Sequence, residues 1–151
     1  MTTVRDERLE LQPILIVDDN QDDFEATKRA FSKTNLRNPI TYARSGEEAL
    51  RYLRSAEDGK PGIILLDLNM PGLDGRQTLE AIKRNAELRK IPVVVLTTSD
   101  DERDVKRCYE LGANTYIQKP VDFDGLIAAI QQLKEYWFEI ALLPKVCDRA
   151  V

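Results

Sequence analysis

Three stretches of this chain, Ile14-Leu15-Ile16-Val17, Ile63-Ile64-Leu65-Leu66 and Val93-Val94-Val95-Leu96, are unbroken aliphatic runs of strand length. A strand with one wet face alternates apolar and polar side chains; a strand with no polar face must be covered on both sides. Such runs point to a parallel sheet with helices packed on each face. Two shorter signals, Ile40 to Ala43 after Asn38-Pro39 and Tyr116-Ile117-Gln118, bring the expected strands to five.

Between the strands the spacing turns helical. Asp22 to Lys33 carries Phe24, Thr27 and Phe31 at helical intervals with Ala26 and Ala30 beside them, Thr27 being a polar interruption of the stripe. Asp22 and Asp23 read as caps of this helix rather than metal ligands. Ser45-x-x-Glu48 has the form of a capping box and opens a helix containing Leu50 and Leu53. Gly59-Lys60-Pro61-Gly62 is a turn, Gly72 to Gly75 a loop, and Gln77 to Asn85 a short helix with Leu79 and Ile82 inward. A second box, Ser99-x-x-Glu102, starts a helix that ends near Gly112. Asp122 caps the last helix, with Leu126, Ile130, Leu133 and Trp137 on one stripe. Strand and helix alternate throughout, so we expect an α/β fold: a doubly wound, five-stranded parallel sheet of flavodoxin-like order 2-1-3-4-5 with five helices. Residues 1–12 read as a flexible polar arm, 13–143 as one domain with an extended last helix, and 144–151 as a tail.

Composition removes several classes of function. The chain of 151 residues contains no histidine, which eliminates the Ser/His/Asp and Cys/His nucleophile arrangements and His-ligated zinc or iron. A formal charge of −4 with mixed signs offers no basic stripe for nucleic acid. No apolar run approaches the ~20 residues of a membrane span, and the N-terminus lacks the apolar core of a signal peptide. Cys108 and Cys147 show no metal spacing and fit a reducing, cytoplasmic compartment. Cys108 reads as a small buried apolar residue rather than a redox switch.

The proposed sheet order makes the first and third strands neighbours and brings their carboxyl ends together. Asp18-Asp19 ends the first, Asp67 the third, Thr97 the fourth, and Lys119 follows the fifth. This is where open parallel sheets place their chemistry. At an effective dielectric of about 20, two unit charges ~5 Å apart repel by roughly 3 kcal/mol, so such a cluster calls for a cation, a proton or a basic partner, and Lys119 could be that partner. A carboxylate can attack phosphorus to give an aspartyl phosphate. That chemistry needs a divalent cation, a lysine or N–H groups to hold the phosphoryl oxygens, and magnesium suits an all-oxygen site.

These residues, with Asp67-x-x-Met70-Pro71-Gly72-x-x-Gly75, Tyr116 and Lys119-Pro120, resemble the receiver domain of two-component response regulators over roughly residues 13 to 138. The resemblance implies that Asp67 accepts a phosphoryl group from a histidine kinase, with Lys119 and Thr97 as its catalytic partners. It implies a magnesium site formed by Asp18, Asp19, Asp67 and the backbone carbonyl of Asn69, with Asp18 acting mostly through water. It also implies a cis Lys119–Pro120 peptide, and a switch in which Thr97 moves toward the phosphoryl group and Tyr116 turns inward. A narrower resemblance, carried by Asp22-Asp23-Phe24, Cys108-Tyr109, Gly112-Ala113-Asn114-Thr115-Tyr116 and Tyr136-Trp137-Phe138, is to small stand-alone regulators paired with phytochrome-type kinases.

The apolar segment Tyr136 to Pro144 either packs back on its own domain or builds a homodimer across the last two helices and last strand; the dimer is the expectation. Beyond self-phosphorylation from a donor and slow autodephosphorylation, no dedicated enzymatic turnover is expected. The rivals are a metal-dependent phosphatase with an aspartyl nucleophile, which would need an acid where Asn69 stands; a nucleotide-binding flavodoxin-like module, which would need glycines where Asp18-Asp19-Asn20-Gln21 stands; and a degenerate interaction module that works without phosphorylation.

Overall fold

The computed structural model describes residues 12–55, 60–70, 72 and 74–140. In chain order they form β1 (Ile14–Val17), α1 (Gln21–Lys33), β2 (Ile40–Ala43), α2 (Gly46–Ser55), β3 (Ile63–Leu66), α3 (Gly75–Arg84), a 3-10 turn (Leu88–Lys90), β4 (Val93–Thr97), α4 (Glu102–Leu111), β5 (Thr115–Gln118), α5 (Phe123–Lys134) and a π-helical segment (Glu135–Ile140). The strands make one sheet of order β2-β1-β3-β4-β5, and every pairing is parallel. This is the doubly wound, flavodoxin-like arrangement that the aliphatic runs imply.

The runs lack alternation because both faces of the sheet are covered. Leu15, Val17, Ile64, Leu66, Val93 and Val95 pack with Leu50, Leu53, Leu79, Ile82 and Cys108, so α2, α3 and α4 lie on one side. Ile14, Ile16, Ile63, Leu65 and Val94 pack with Phe24, Phe31, Leu126, Ile130 and Leu133, so α1 and α5 lie on the other. Each such side chain removed from water contributes about 1.5–3 kcal/mol. A one-residue slip of any central strand would exchange its two buried faces, which the different helices on each side oppose.

Helix ends depart from the expected ones in instructive ways. Asn20, in an extended conformation, caps α1 by accepting from the Asp23 N–H; Asp22 and Asp23 already lie in the first helical turn and so cannot hold the cap position. Ser45 Oγ accepts from Glu48 N at 3.0 Å, but the Glu48 carboxylate bonds the Arg44 N–H instead of closing the box on Ser45. The reciprocal box is at α3, between Asp74 and Gln77, and it starts that helix at Gly75 rather than Gln77. Asp101, not Ser99, caps α4, because the Ser99 hydroxyl is engaged by Asp104. Gly112 ends α4 at φ 108°, a left-handed conformation that glycine adopts without steric cost. Asp122 holds the cap position of α5 but its side chain makes no capping hydrogen bond. Trp137 lies beyond the regular helix, in the π-helical segment, and still packs on the Leu126, Ile130 and Leu133 side of the core. The expected arm, apart from Gln12, and the tail fall outside the described residues, as do Gly59 of the expected turn and Pro71.

Candidate functional site

The parallel register delivers the site. Val17 stands opposite Ala43 on β2 and Leu66 on β3. One step on, Asp18 N donates to Ala43 O at 3.1 Å and Asp67 N donates to Val17 O at 3.0 Å. The two aspartates therefore leave the sheet side by side. Thr97 ends β4, and Lys119 N donates to its carbonyl oxygen at 2.6 Å, which sets the lysine beside it just past β5.

One carboxylate oxygen from each of Asp18, Asp19 and Asp67 lies within 4.8 Å of the others. Asp18 and Asp67 are buried and Asp19 is exposed, so the cluster opens to solvent on one side. Burial pushes Asp67 above the ordinary carboxylate range; the charge of Lys119 opposes this, the charge of Asp18 adds to it, and the Thr97 hydroxyl and Asn69 N–H pull the other way. Hard oxygen donors in mutual reach, one of them disfavoured as a bare anion, fit a divalent cation such as magnesium.

Lys119 makes its ion pairs with Asp18, at 2.9 Å, and Asp23, at 3.2 Å. Burial lowers the proton affinity of its ammonium, but the hydrogen bond and charge of Asp18, then the charges of Asp67 and Asp23, outweigh it and leave the group above the ordinary lysine value. The lysine therefore reaches Asp67 through its field while its hydrogen bonds go elsewhere. Asp18 is held further by Asn20 N, which donates to its Oδ1 at 3.0 Å. Thr97 is fully buried, and its hydroxyl accepts from Asn69 Nδ2 at 3.4 Å. The Asn69 N–H points to Asp67 Oδ1 at 3.5 Å, a long contact. The Lys119–Pro120 peptide is trans, as is every described peptide bond; trans is the isomer an X–Pro bond prefers by about 0.5–1 kcal/mol.

Gly75 is needed for closeness rather than for an unusual dihedral. A Cβ there would lie 2.3 Å from the Asp67 carbonyl oxygen and 2.5 Å from Leu68 Cα. The start of α3 thus rests directly on the strand end that carries Asp67. Gly72, in the loop between them, has φ 72°.

A polar chain leads away from Thr97. The half-buried Tyr116 donates its hydroxyl to Ser99 O, Ser99 Oγ donates to Asp104 Oδ2 at 2.8 Å, and Asp104 Oδ1 accepts from Arg76 Nε and Nη2 at 3.0 and 2.7 Å. Sequence reasoning finds Tyr116 but assigns Ser99 to a cap and passes over Arg76, Asp104 and the Asp23–Lys119 contact. Neither the Arg76–Asp104 pair nor the Asp23–Lys119 pair has a local spacing signal, since each joins elements far apart in the chain. Cys108 is fully buried, and burial pushes its thiol up to about 11, which leaves it inert at neutral pH.

The family model of the response regulator receiver domain matches residues 14–131. FilR2 of Methanothrix harundinacea (strain 6Ac), described as a probable methanogenesis regulatory protein, is 42% identical over 127 residues, spanning 82% of this chain and 82% of its own. The response regulator Rcp1 of Synechocystis sp. (strain ATCC 27184 / PCC 6803 / Kazusa) is 36% identical over 135 residues, 87% of this chain and 92% of its own. The crystal structure of Rcp1 in its Mn(2+)-bound form superimposes with a TM-score of 0.82 over 89% of this chain and 99% of that one. The phosphorylated cyanobacterial phytochrome response regulator RcpA superimposes with a TM-score of 0.84 at 37% identity, again over 89% of this chain and 99% of that one.

Proposed function

The chain belongs to the response regulator receiver domain family, and from that premise we propose that it is a stand-alone regulator that accepts a phosphoryl group on Asp67 from a histidine kinase. The observation that carries the reading is the meeting of a buried, proton-favouring Asp67 with Asp18, Asp19, Thr97 and Lys119 at the carboxyl edge of the sheet. An oxygen of the Asp67 carboxylate attacks phosphorus, the P–N bond to the donor imidazole breaks, and the imidazole leaves with the bonding electrons. Asp18, Asp19, Asp67 and the backbone carbonyl of Asn69 would hold magnesium, which when bound offsets the charge on the phosphoryl oxygens. Lys119 donates to one of those oxygens and Thr97 to another.

The acyl phosphate adds about −1.5 to −2 charges at a buried strand end. Drawing the Thr97 hydroxyl toward it displaces the end of β4, and Tyr116 turns inward, altering the surface of α4, β5 and α5. Any dephosphorylation is slow and the protein's own. The likeness to RcpA, named as a phytochrome response regulator, supports a phytochrome-type kinase as donor. No helix among the described residues is long and apolar enough to cross a membrane, in keeping with a cytoplasmic site of action. A homodimer through the α4–β5–α5 face completes the reading; β5 is the edge strand there, and an open groove of about 690 Å³ beside it is lined by Thr115, Ile117, Leu133, Tyr136 and Trp137.

The test is direct. With magnesium and acetyl phosphate the protein should gain one phosphoryl group by intact mass, and Asp67→Asn should gain none. Label retained by that variant would move the acceptor to another residue. Turnover of a foreign phosphoester would favour the phosphatase reading, which lacks an acid at Asn69.

A further inference from the structure

Among the described residues Lys119 has two anionic partners, Asp18 and Asp23, and of these Asp18 alone belongs to the three-carboxylate cluster. Asp23, 3.2 Å from Nζ, stands outside the ring of oxygens that could share a cation. Its turn is fastened at both ends: Asp23 N donates to Asn20 Oδ1 at 3.1 Å, and Asp23 O accepts from Thr27 Oγ1 at 3.0 Å. The buried Thr27, a polar break in the α1 stripe, thereby has its hydroxyl satisfied by the residue that reaches Lys119.

An ammonium has three N–H donors. Asp18 and Asp23 occupy two of them, leaving one for an oxygen arriving at Asp67. A divalent cation at the cluster would share the charge of Asp18 and repel the ammonium. Asp18 alone is then a poor anchor, and Asp23 is the counter-charge that the cation does not claim.

We propose that Asp23 is the positioning residue for Lys119, holding the ammonium beside Asp67 while Asp18 serves the cation. This rests on the phosphoacceptor reading and deepens it. Asp23→Asn should lower the rate constant of labelling at saturating acetyl phosphate by about two- to five-fold, the size of a half-exposed ion pair converted to rate. The donor concentration for half-maximal rate should stay unchanged, and Asp23→Glu should recover most of the loss. Asp22→Asn is the control: it removes the same charge from the same turn at an exposed position. In the metal-free protein the Lys119 Nζ resonance should shift in Asp23→Asn and stay in place in Asp22→Asn. Equal behaviour of the two asparagine variants in both measurements overturns the proposal. Absence of label on the wild-type protein fails the phosphoacceptor reading and takes this inference with it, a different pattern of results.

Discussion

The Tyr116 hydroxyl donates to the carbonyl oxygen of Ser99 at 2.9 Å. Ser99 lies two residues past Thr97, so Thr97 at the carboxyl edge of the sheet and the aromatic on β5 are joined through one short piece of backbone. The Ser99 side chain is held in turn by Asp104, and Asp104 by Arg76. Four elements meet in this chain of contacts: α3, the β4–α4 link, α4 and β5. In the proposed switch a displacement of Thr97 would carry Ser99 with it and take the acceptor from Tyr116. These resting contacts supply a path that the proposed switch would use.

The Arg76–Asp104 pair sets how firmly that link is held. The hydrogen bond from Arg76 keeps Asp104 below the ordinary carboxylate value, with partial burial opposing and the Ser99 hydroxyl and Arg76 charge assisting. A depressed folded-state value means the unfolded chain takes up protons first as pH falls. The stabilisation is complete above the ordinary value of 3.8 and is lost as pH drops through the lower folded value. A double-mutant cycle of Arg76→Gln and Asp104→Asn in urea at pH 7 should give a coupling of about 1 kcal/mol, shrinking toward zero at strongly acid pH. A coupling that is absent at pH 7 would mean the pair holds nothing.

Asp67 should behave in the opposite sense. Burial raises its folded-state value, so the native state binds the proton first, and stability falls as pH rises from the ordinary carboxylate value of 3.8 through the raised one. Neutralising Asp67 removes the desolvation cost of its buried charge, the largest of these effects, and the repulsion from Asp18; loss of the attraction to Lys119, which exceeds that repulsion, returns part of the gain. Metal-free Asp67→Asn should therefore be more stable than wild type at pH 7, with the gain vanishing at strongly acid pH, where Asp67 is protonated in folded and unfolded chains alike. Magnesium should raise the wild-type melting temperature and leave that of the variant nearly unchanged. A variant less stable than wild type at neutral pH would contradict the electrostatic account.

Gly75→Ala tests the contact between α3 and the strand end. The new Cβ would sit 2.3 Å from the Asp67 carbonyl oxygen, so either α3 or Asp67 must move. Overpacking of this kind costs about 1–3 kcal/mol. The urea midpoint should fall, and labelling at saturating acetyl phosphate should fall with it as Asp67 leaves its place. Full stability with full labelling would show that the helix start is free to shift.

How much of this was legible in the residues depends on the range of the interaction involved. The sheet order and the site at its carboxyl edge follow from aliphatic runs that end in Asp18, Asp67 and Thr97, because strand burial and strand register act on short segments. Gly112 is likewise readable, since a helix stop is a local backbone matter. Helix starts were harder. Asp101 and Asn20 compete with neighbouring serines and aspartates that have equal intrinsic capping strength, and partners such as Asp104 on Ser99 decide the contest; Asp74 is hidden because the glycines on either side of it read as loop. The partners of Lys119 were hidden by distance: Asp23 and Lys119 are 96 residues apart, and nothing at either position announces the other.

The face formed by α4, β5 and α5 yields the last prediction. Trp137 packs on the Leu126, Ile130 and Leu133 side of the core, so replacing it would disturb the fold as well as any interface. Tyr136 is the better probe, being 52% exposed and in edge contact with the Trp137 ring at 5.1 Å. Exposed Tyr109 on α4 adds a second aromatic, and its hydroxyl accepts from Tyr116 N at 3.1 Å, tying this face to the proposed switch residue. Tyr136→Glu keeps the core intact but places a charge where an aromatic would be desolvated on pairing, and interface anchors of this kind cost about 2 kcal/mol or more when lost. In analytical ultracentrifugation the wild-type protein should sediment as a dimer at tens of micromolar, and the variant should need at least about ten-fold more protein to pair. Monomeric sedimentation of the wild type at high concentration, with and without acetyl phosphate, would remove this face from the account and leave the groove beside β5 to a partner other than a second copy.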